Sequence, residues 1–202
     1  MKNLRNNWIT EKCQEIRYTL PDNISVVGRF KDVIDLYRSE STHVVKRTKL
    51  SYQSCFPSLF ERQNVSLVLR IFNEKTVSAL AVDGKKETAM FIKHFLRLWN
   101  MLNIKYTDGH VLLNDPDRKP FSSVDDARFS FISKTADNIA SMPGDVGNKR
   151  IKSLTSVTRD SFANTLRAFV ELWKELLEDK GWRYILPGIF QTDPLENEFG
   201  CY

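Results

Sequence analysis

A chain of 202 residues that is 42% hydrophobic is long and apolar enough to bury the core of one large domain or two small ones, which excludes disorder as its main state. The formal charge of +5 is a mild excess that tolerates a polyanionic partner without requiring one. Cys13, Cys55 and Cys201 lie far apart, with no C-x-x-C pair and no histidine at ligand spacing; the pattern supports neither a disulfide framework nor a zinc site and fits a reducing compartment.

The opening, MKNLRNNWITEKC, lacks the apolar segment of a signal peptide, and no stretch reaches the roughly 18 apolar residues of a membrane span. The N-x-S matches at Asn23 and Asn64 are therefore read as chance. Further on, the short apolar run ISVV suits a strand, and Val33, Ile34 and Tyr37 at helical spacing predict a helix over residues 30–39. In ERQNVSLVLRIFNEKTVSAL, one helix from Glu61 to Leu80 is expected to carry Val65, Val68, Phe72, Val77 and Leu80 on one side and Arg62, Arg70 and Glu74 on the other, stopped by the turn pair Asp83-Gly84.

KETAMFIKHFLRLWNMLNIK repeats Phe91, Phe95, Leu98 and Leu102 at steps of four, three and four, the rhythm of a helix buried along a broad stripe. RDSFANTLRAFVELWKELLEDKG keeps that rhythm through Phe162, Leu166, Phe169, Trp173 and Leu176, with Thr158 as N-cap and Gly181 as the stop. Between these two helices, residues 106–150 read as a long excursion or mobile loop with a weak helix or strand near residues 125–139. The whole reads as mainly α with little strand.

Few motifs carry chemistry. PGDVGNKR has two glycines before a lysine but does not match G-x-x-x-x-G-K-[ST], and no strand pattern precedes it. His43, His94 and His110 fall on separate segments, which favours surface or packing roles. Trp8, Trp99, Trp173 and Trp182 are candidate base-stacking platforms, although Trp99 and Trp173 lie within the apolar stripes and so belong to the core. The cluster HVVKRTK, with Lys46, Arg47 and Lys49, suits either phosphate contact or a solvated loop. In DPLENEFG, Asp193 can cap a helix that has Pro194 at its first position and Glu196 in its first turn. Alternatively, Asp193 and Glu196 present carboxylates to a divalent metal or a nucleotide.

Taken together, KNLRNNW (Lys2 to Trp8), TKL (Thr48 to Leu50), ERQNVSLVLRIFNEKTVSAL (Glu61 to Leu80), FIKHFLRLWNMLNIK (Phe91 to Lys105) and GIFQTDPLENEFG (Gly188 to Gly200) resemble the P element family of DNA transposases, which includes the THAP-domain transposases. The resemblance implies a helical insertion domain that binds GTP, set within an α/β RNase H-like catalytic domain. It divides the chain into a flanking piece (residues 1–29), the insertion (30–187, loop-rich at 106–150) and the start of the C-terminal catalytic segment (188–202). By that likeness Glu196 is the third metal-binding acid of a DDE-type site using Mg²⁺, and Lys49, Val65, Asn103 and Asp193 contact the guanine nucleotide. DNA is implied as the partner of the complete protein, and the nucleus as its location.

The same likeness places the family's first two acids upstream of KNLRNNW, so the chain is expected to begin after both, without the zinc-containing DNA-binding domain, and to end before the catalytic core is complete. One carboxylate does not position a metal pair, so no strand transfer is expected from these residues alone. Asn64, Asn73 and Asn100 stand where the family usually has Lys, Ser and Asp, which weakens the expected phosphate attraction and guanine reading. The other reading is a non-catalytic helical interaction module derived from a transposase. A truncated catalytic domain is expected to expose apolar surface that its missing sheet would cover, which favours self-association, and no membrane partner is expected.

Overall fold

The computed structural model describes residues 1–9, 15–142 and 154–190. Among these, helices predominate: α1 (Lys2–Trp8), α2 (Phe30–Ser41), α3 (Tyr52–Cys55), α4 (Val65–Ile71), α5 (Glu74–Val82), α6 (Lys86–Leu102), α7 (Gly109–Leu112), α8 (Ala127–Ala140) and α9 (Ser156–Glu178). The described sheet is one antiparallel hairpin, β1 (Glu15–Thr19) and β2 (Ser25–Arg29), in which Ile16 faces Gly28 and Tyr18 faces Val26. The chain divides into two compact units, one from the described residues of Met1–Leu96 and Lys134–Leu166, the other from Arg97–Ser133 and the described residues beyond Arg167.

In the first unit, ISVV forms β2 as expected. Its partner β1 was not anticipated, although Ile16, Tyr18 and Leu20 alternate inward with Arg17 and Thr19 outward. The hairpin turns where the Asn23 N–H reaches the Leu20 carbonyl at 2.9 Å, with Asn23 at φ 64°, a left-handed conformation that asparagine tolerates better than most residues. Above the hairpin lies an aromatic core. Trp8, with 0% exposure, has its ring centroid 5.3 Å from Phe30, 6.1 Å from Phe72 and 5.0 Å from Phe91, and its indole N–H donates to the Gly28 carbonyl at 2.9 Å. Trp8 is thus a core residue and not a stacking platform.

The single helix expected from Glu61 to Leu80 is instead a 3-10 turn at Glu61–Gln63 followed by α4 and α5. The break falls at Asn73, whose extended backbone (φ −145°, ψ 145°) ends the first helix and starts the second as its N-cap. At the junction the Asn73 side chain accepts the Lys75 N–H at 3.0 Å, and the buried Thr76 hydroxyl donates to the Arg70 carbonyl at 3.1 Å. Gly84, at φ 76°, then makes the expected stop.

α6 buries Phe91, Phe95 and Leu98 as its periodicity requires, and His94 is a packing residue whose Nε2 lies 3.0 Å from the Tyr18 hydroxyl. α9 starts earlier than expected: Thr155, not Thr158, takes the capping role, its hydroxyl accepting the Thr158 N–H at 3.3 Å. Gly181, at φ 63°, ends the helix, and the Trp182 N–H returns to the Leu176 carbonyl at 2.9 Å. The region read as a long excursion contains α8, a 14-residue helix that buries Phe129, Ile132, Ala136 and Ile139 at helical spacing.

In the second unit, buried Arg128 fastens the connection ahead of α8. Its guanidinium donates to the carbonyls of Asp117, Lys119 and Pro120 and to the Asp126 carboxylate, while its Cζ lies 3.9 Å above the Phe121 ring. Phe121 in turn packs on Phe129 and on Trp173, which stacks at 5.1 Å on Phe169. Phe121 and Ile185 exchange backbone hydrogen bonds of 3.1 and 2.7 Å.

Gly28 and Arg128 provide two tests. A Cβ at Gly28 would sit 2.6 Å from the Phe91 ring, so Gly28→Ala should destabilise the protein by about 1–3 kcal/mol in urea unfolding, as overpacked cores do. Burial acts to raise the Asp126 pKa, but its hydrogen bonds from Arg128 outweigh this and hold the carboxyl below the usual range. A depressed carboxylate contributes stability above the unfolded value near about 3.9, and loses it as the pH falls through the lower folded value. Asp126→Asn should therefore destabilise at neutral pH, and the gap from the unaltered protein should close below that value, as read by unfolding at a series of pH values.

Candidate functional site

The residues expected to meet a nucleotide fall on different elements. Lys49 lies in the connection between α2 and α3, Val65 opens α4, and Asn103 follows α6. The first two belong to the first compact unit and Asn103 to the second. Asp193 and Glu196 lie outside the described residues, as does PGDVGNKR.

The setting of Lys49 is built from α2. The inward face of that helix carries Phe30, Val33 and Leu36 and ends, one turn on, in Glu40, a carboxylate only 4% exposed. Glu40 accepts the Thr48 hydroxyl at 2.6 Å, the Thr48 N–H at 3.3 Å and Arg47 Nε at 3.1 Å. Arg47 also donates through both terminal nitrogens to Asp83, each at 3.0 Å. Hydrogen bonds from Arg47 lower the Asp83 pKa and raise that of Arg47. Arg47 is thus committed within the protein. Lys49, exposed between buried Thr48 and Leu50, and Lys46 carry no ion pair among the described residues.

The asparagines at 64 and 73 are helix caps. Asn64 Oδ1 accepts the N–H groups of Ser66 and Leu67 at 2.9 and 3.4 Å, and Asn73 caps α5. Val65, half-buried, follows directly on the Asn64 cap. Asn100 is 7% exposed and uses both ends of its amide: Nδ2 donates to Asp115 at 2.9 Å and Oδ1 accepts from Arg118 at 2.6 Å. An amide is what this place requires, since one group must meet a carboxylate and a guanidinium at once. Half-buried Asn103 donates to the Trp99 carbonyl at 2.9 Å.

Sequence reading missed Glu40, Asp83, Asp115 and Arg118. Only Glu40 left a local signal: an acid at the next helical step of the apolar face Phe30, Val33 and Leu36. For Mg²⁺, the described residues contain no cluster of three or more His, Cys, Asp or Glu able to hold a metal. Burial pushes the Cys55 thiol up to about 11. No helix among the described residues is long and apolar enough to cross a membrane.

No family model and no curated protein matches the sequence. Among solved structures, the fold is similar to that of the Drosophila P element transposase strand transfer complex, with a TM-score of 0.69 and 16% sequence identity over 99% of this chain and 43% of that one. The chain has a transposase-like fold and spans less than half the length of the transposase chain it matches.

The caps predict an asymmetry. Replacing Asn73 with Ser, a comparable cap, should leave stability nearly unchanged, whereas Asn64→Lys removes the acceptor for two N–H groups and should cost about 1 kcal/mol in thermal or urea unfolding.

Proposed function

We propose that this chain is a segment of a P element-like DNA transposase, or of a protein descended from one, with residues 30–187 as the GTP-binding-type insertion and residues 1–29 and 188–202 as flanks of an RNase H-like catalytic domain. The observation that carries the reading is the fold likeness, which extends over 99% of the chain. In this reading Lys49, Val65, Asn103 and Asp193 contact the nucleotide, Lys49 through its phosphates, and Glu196 is the third acid of a Mg²⁺-dependent site acting on DNA. Bound metal would polarise the phosphodiester and activate the attacking oxygen. A metal pair needs the full set of acids, so Glu196 by itself is expected neither to cleave nor to join DNA.

The unpaired Lys49 fits a phosphate contact. Asn100 does not fit a guanine reader, because Asp115 and Arg118 occupy its amide. That second observation favours weak discrimination between purines and gives weight to the alternative, a non-catalytic interaction module of transposase descent. Exposed Phe60, at 93%, and Val44, at 101%, suit such a module, including one that self-associates.

Isothermal titration with GTP and ATP in the presence of Mg²⁺ separates the two. The nucleotide reading expects binding that weakens by about tenfold in Lys49→Ala, the scale of one charge-assisted hydrogen bond. No binding at millimolar nucleotide would leave the interaction module. Metal-dependent DNA cleavage that disappears in Glu196→Ala would refute the inactivity of the isolated chain.

A further inference from the structure

We propose that Glu40 is a positioning residue for Lys49, a buried carboxylate that sets the phosphate-facing loop between α2 and α3; this rests on the nucleotide reading above. A carboxylate withdrawn from water is costly unless donors surround it, and Glu40 gathers three, all from residues 47 and 48. The loop is thereby drawn onto the end of α2. Arg47 fixes its other side through the paired contacts to Asp83. The Leu50 N–H then donates to the Thr48 hydroxyl oxygen at 3.3 Å.

The consequence falls on the residue between. Thr48 and Leu50 are both buried, and Lys49 between them is exposed to solvent. Val44 and Val45, at 101% and 84% exposure, give the preceding part of the loop no apolar anchor, so the polar clamp holds it. The clamp also sorts the cations of HVVKRTK. It neutralises Arg47 with Glu40 and Asp83 and leaves Lys46 and Lys49 as the charges available to an incoming polyphosphate.

The test is a double-mutant cycle on the full chain, using Glu40→Gln, Lys49→Ala and the pair, titrated with Mg²⁺-GTP and with inorganic tripolyphosphate, alongside hydrogen exchange of residues 43–50. Should Glu40→Gln fail to fold, Thr48→Val, which removes the shortest contact to Glu40, takes its place in the cycle. Glu40→Gln is expected to speed exchange at Thr48 and Leu50 and to weaken both probes about threefold or more when Lys49 is present, with little further loss when Lys49 is Ala. Equal losses in both backgrounds, no loss, or unchanged exchange would overturn the positioning role while the nucleotide reading stands. Failure of the unaltered chain to bind either probe overturns the nucleotide reading, and the inference with it.

Discussion

The first unit depends on a bargain between Trp8 and Gly28. An indole with no exposure needs an acceptor for its N–H, and the Gly28 carbonyl supplies it. The same glycine, by having no side chain, admits the Phe91 ring. One residue of β2 thus ties α1 to the hairpin and makes room for α6. Phe30 at the start of α2 and Phe72 at the end of α4 close the other sides of the indole. The second unit solves a different problem, irregular backbone ahead of a helix, with a guanidinium instead of a ring: Arg128 collects carbonyls that no ladder pairs.

Buried charge has a consistent use here. Glu40, Asp32 and Arg128 are all nearly inaccessible, and each meets several donors or acceptors from outside its own helix turn. Asp32 accepts the Thr88 hydroxyl at 2.5 Å and lies 3.4 Å from Lys85, so the start of α6 is fixed to α2 by the same device that fixes the loop after α2. Replacing such groups by apolar ones can be neutral for stability; what they specify is geometry.

The helices were legible where a 3.6-residue rhythm persisted. α2, α6 and α9 follow from Val33, Ile34 and Tyr37, from Phe91, Phe95 and Leu98, and from Leu166, Phe169 and Trp173. The break between α4 and α5 left one local signal, the capping residue Asn73, because the buried face runs on at helical spacing through Phe72, Thr76 and Leu80. β1 was missed because Ile16, Tyr18 and Leu20 alternate over too short a run to compete with the louder ISVV. Of the candidate site, the basic cluster of Lys46, Arg47 and Lys49 was legible from the residues, but only the resemblance singled out Lys49 within it. Pairings of residue 40 with 48, 47 with 83 and 100 with 115 and 118 join separate segments, and nothing local announces them. Asp193 and Glu196, the most specific part of that resemblance, lie outside the described residues.

Asn64 and Asn73 have one more consequence. A helix whose first N–H groups are met by its own preceding side chain has fewer donors left for a visitor: Asn64 takes two at α4 and Asn73 takes one at α5. Both caps come from within the chain and need no bound ligand. Sequence change near either helix start can therefore proceed without undoing its cap, provided the asparagine stays.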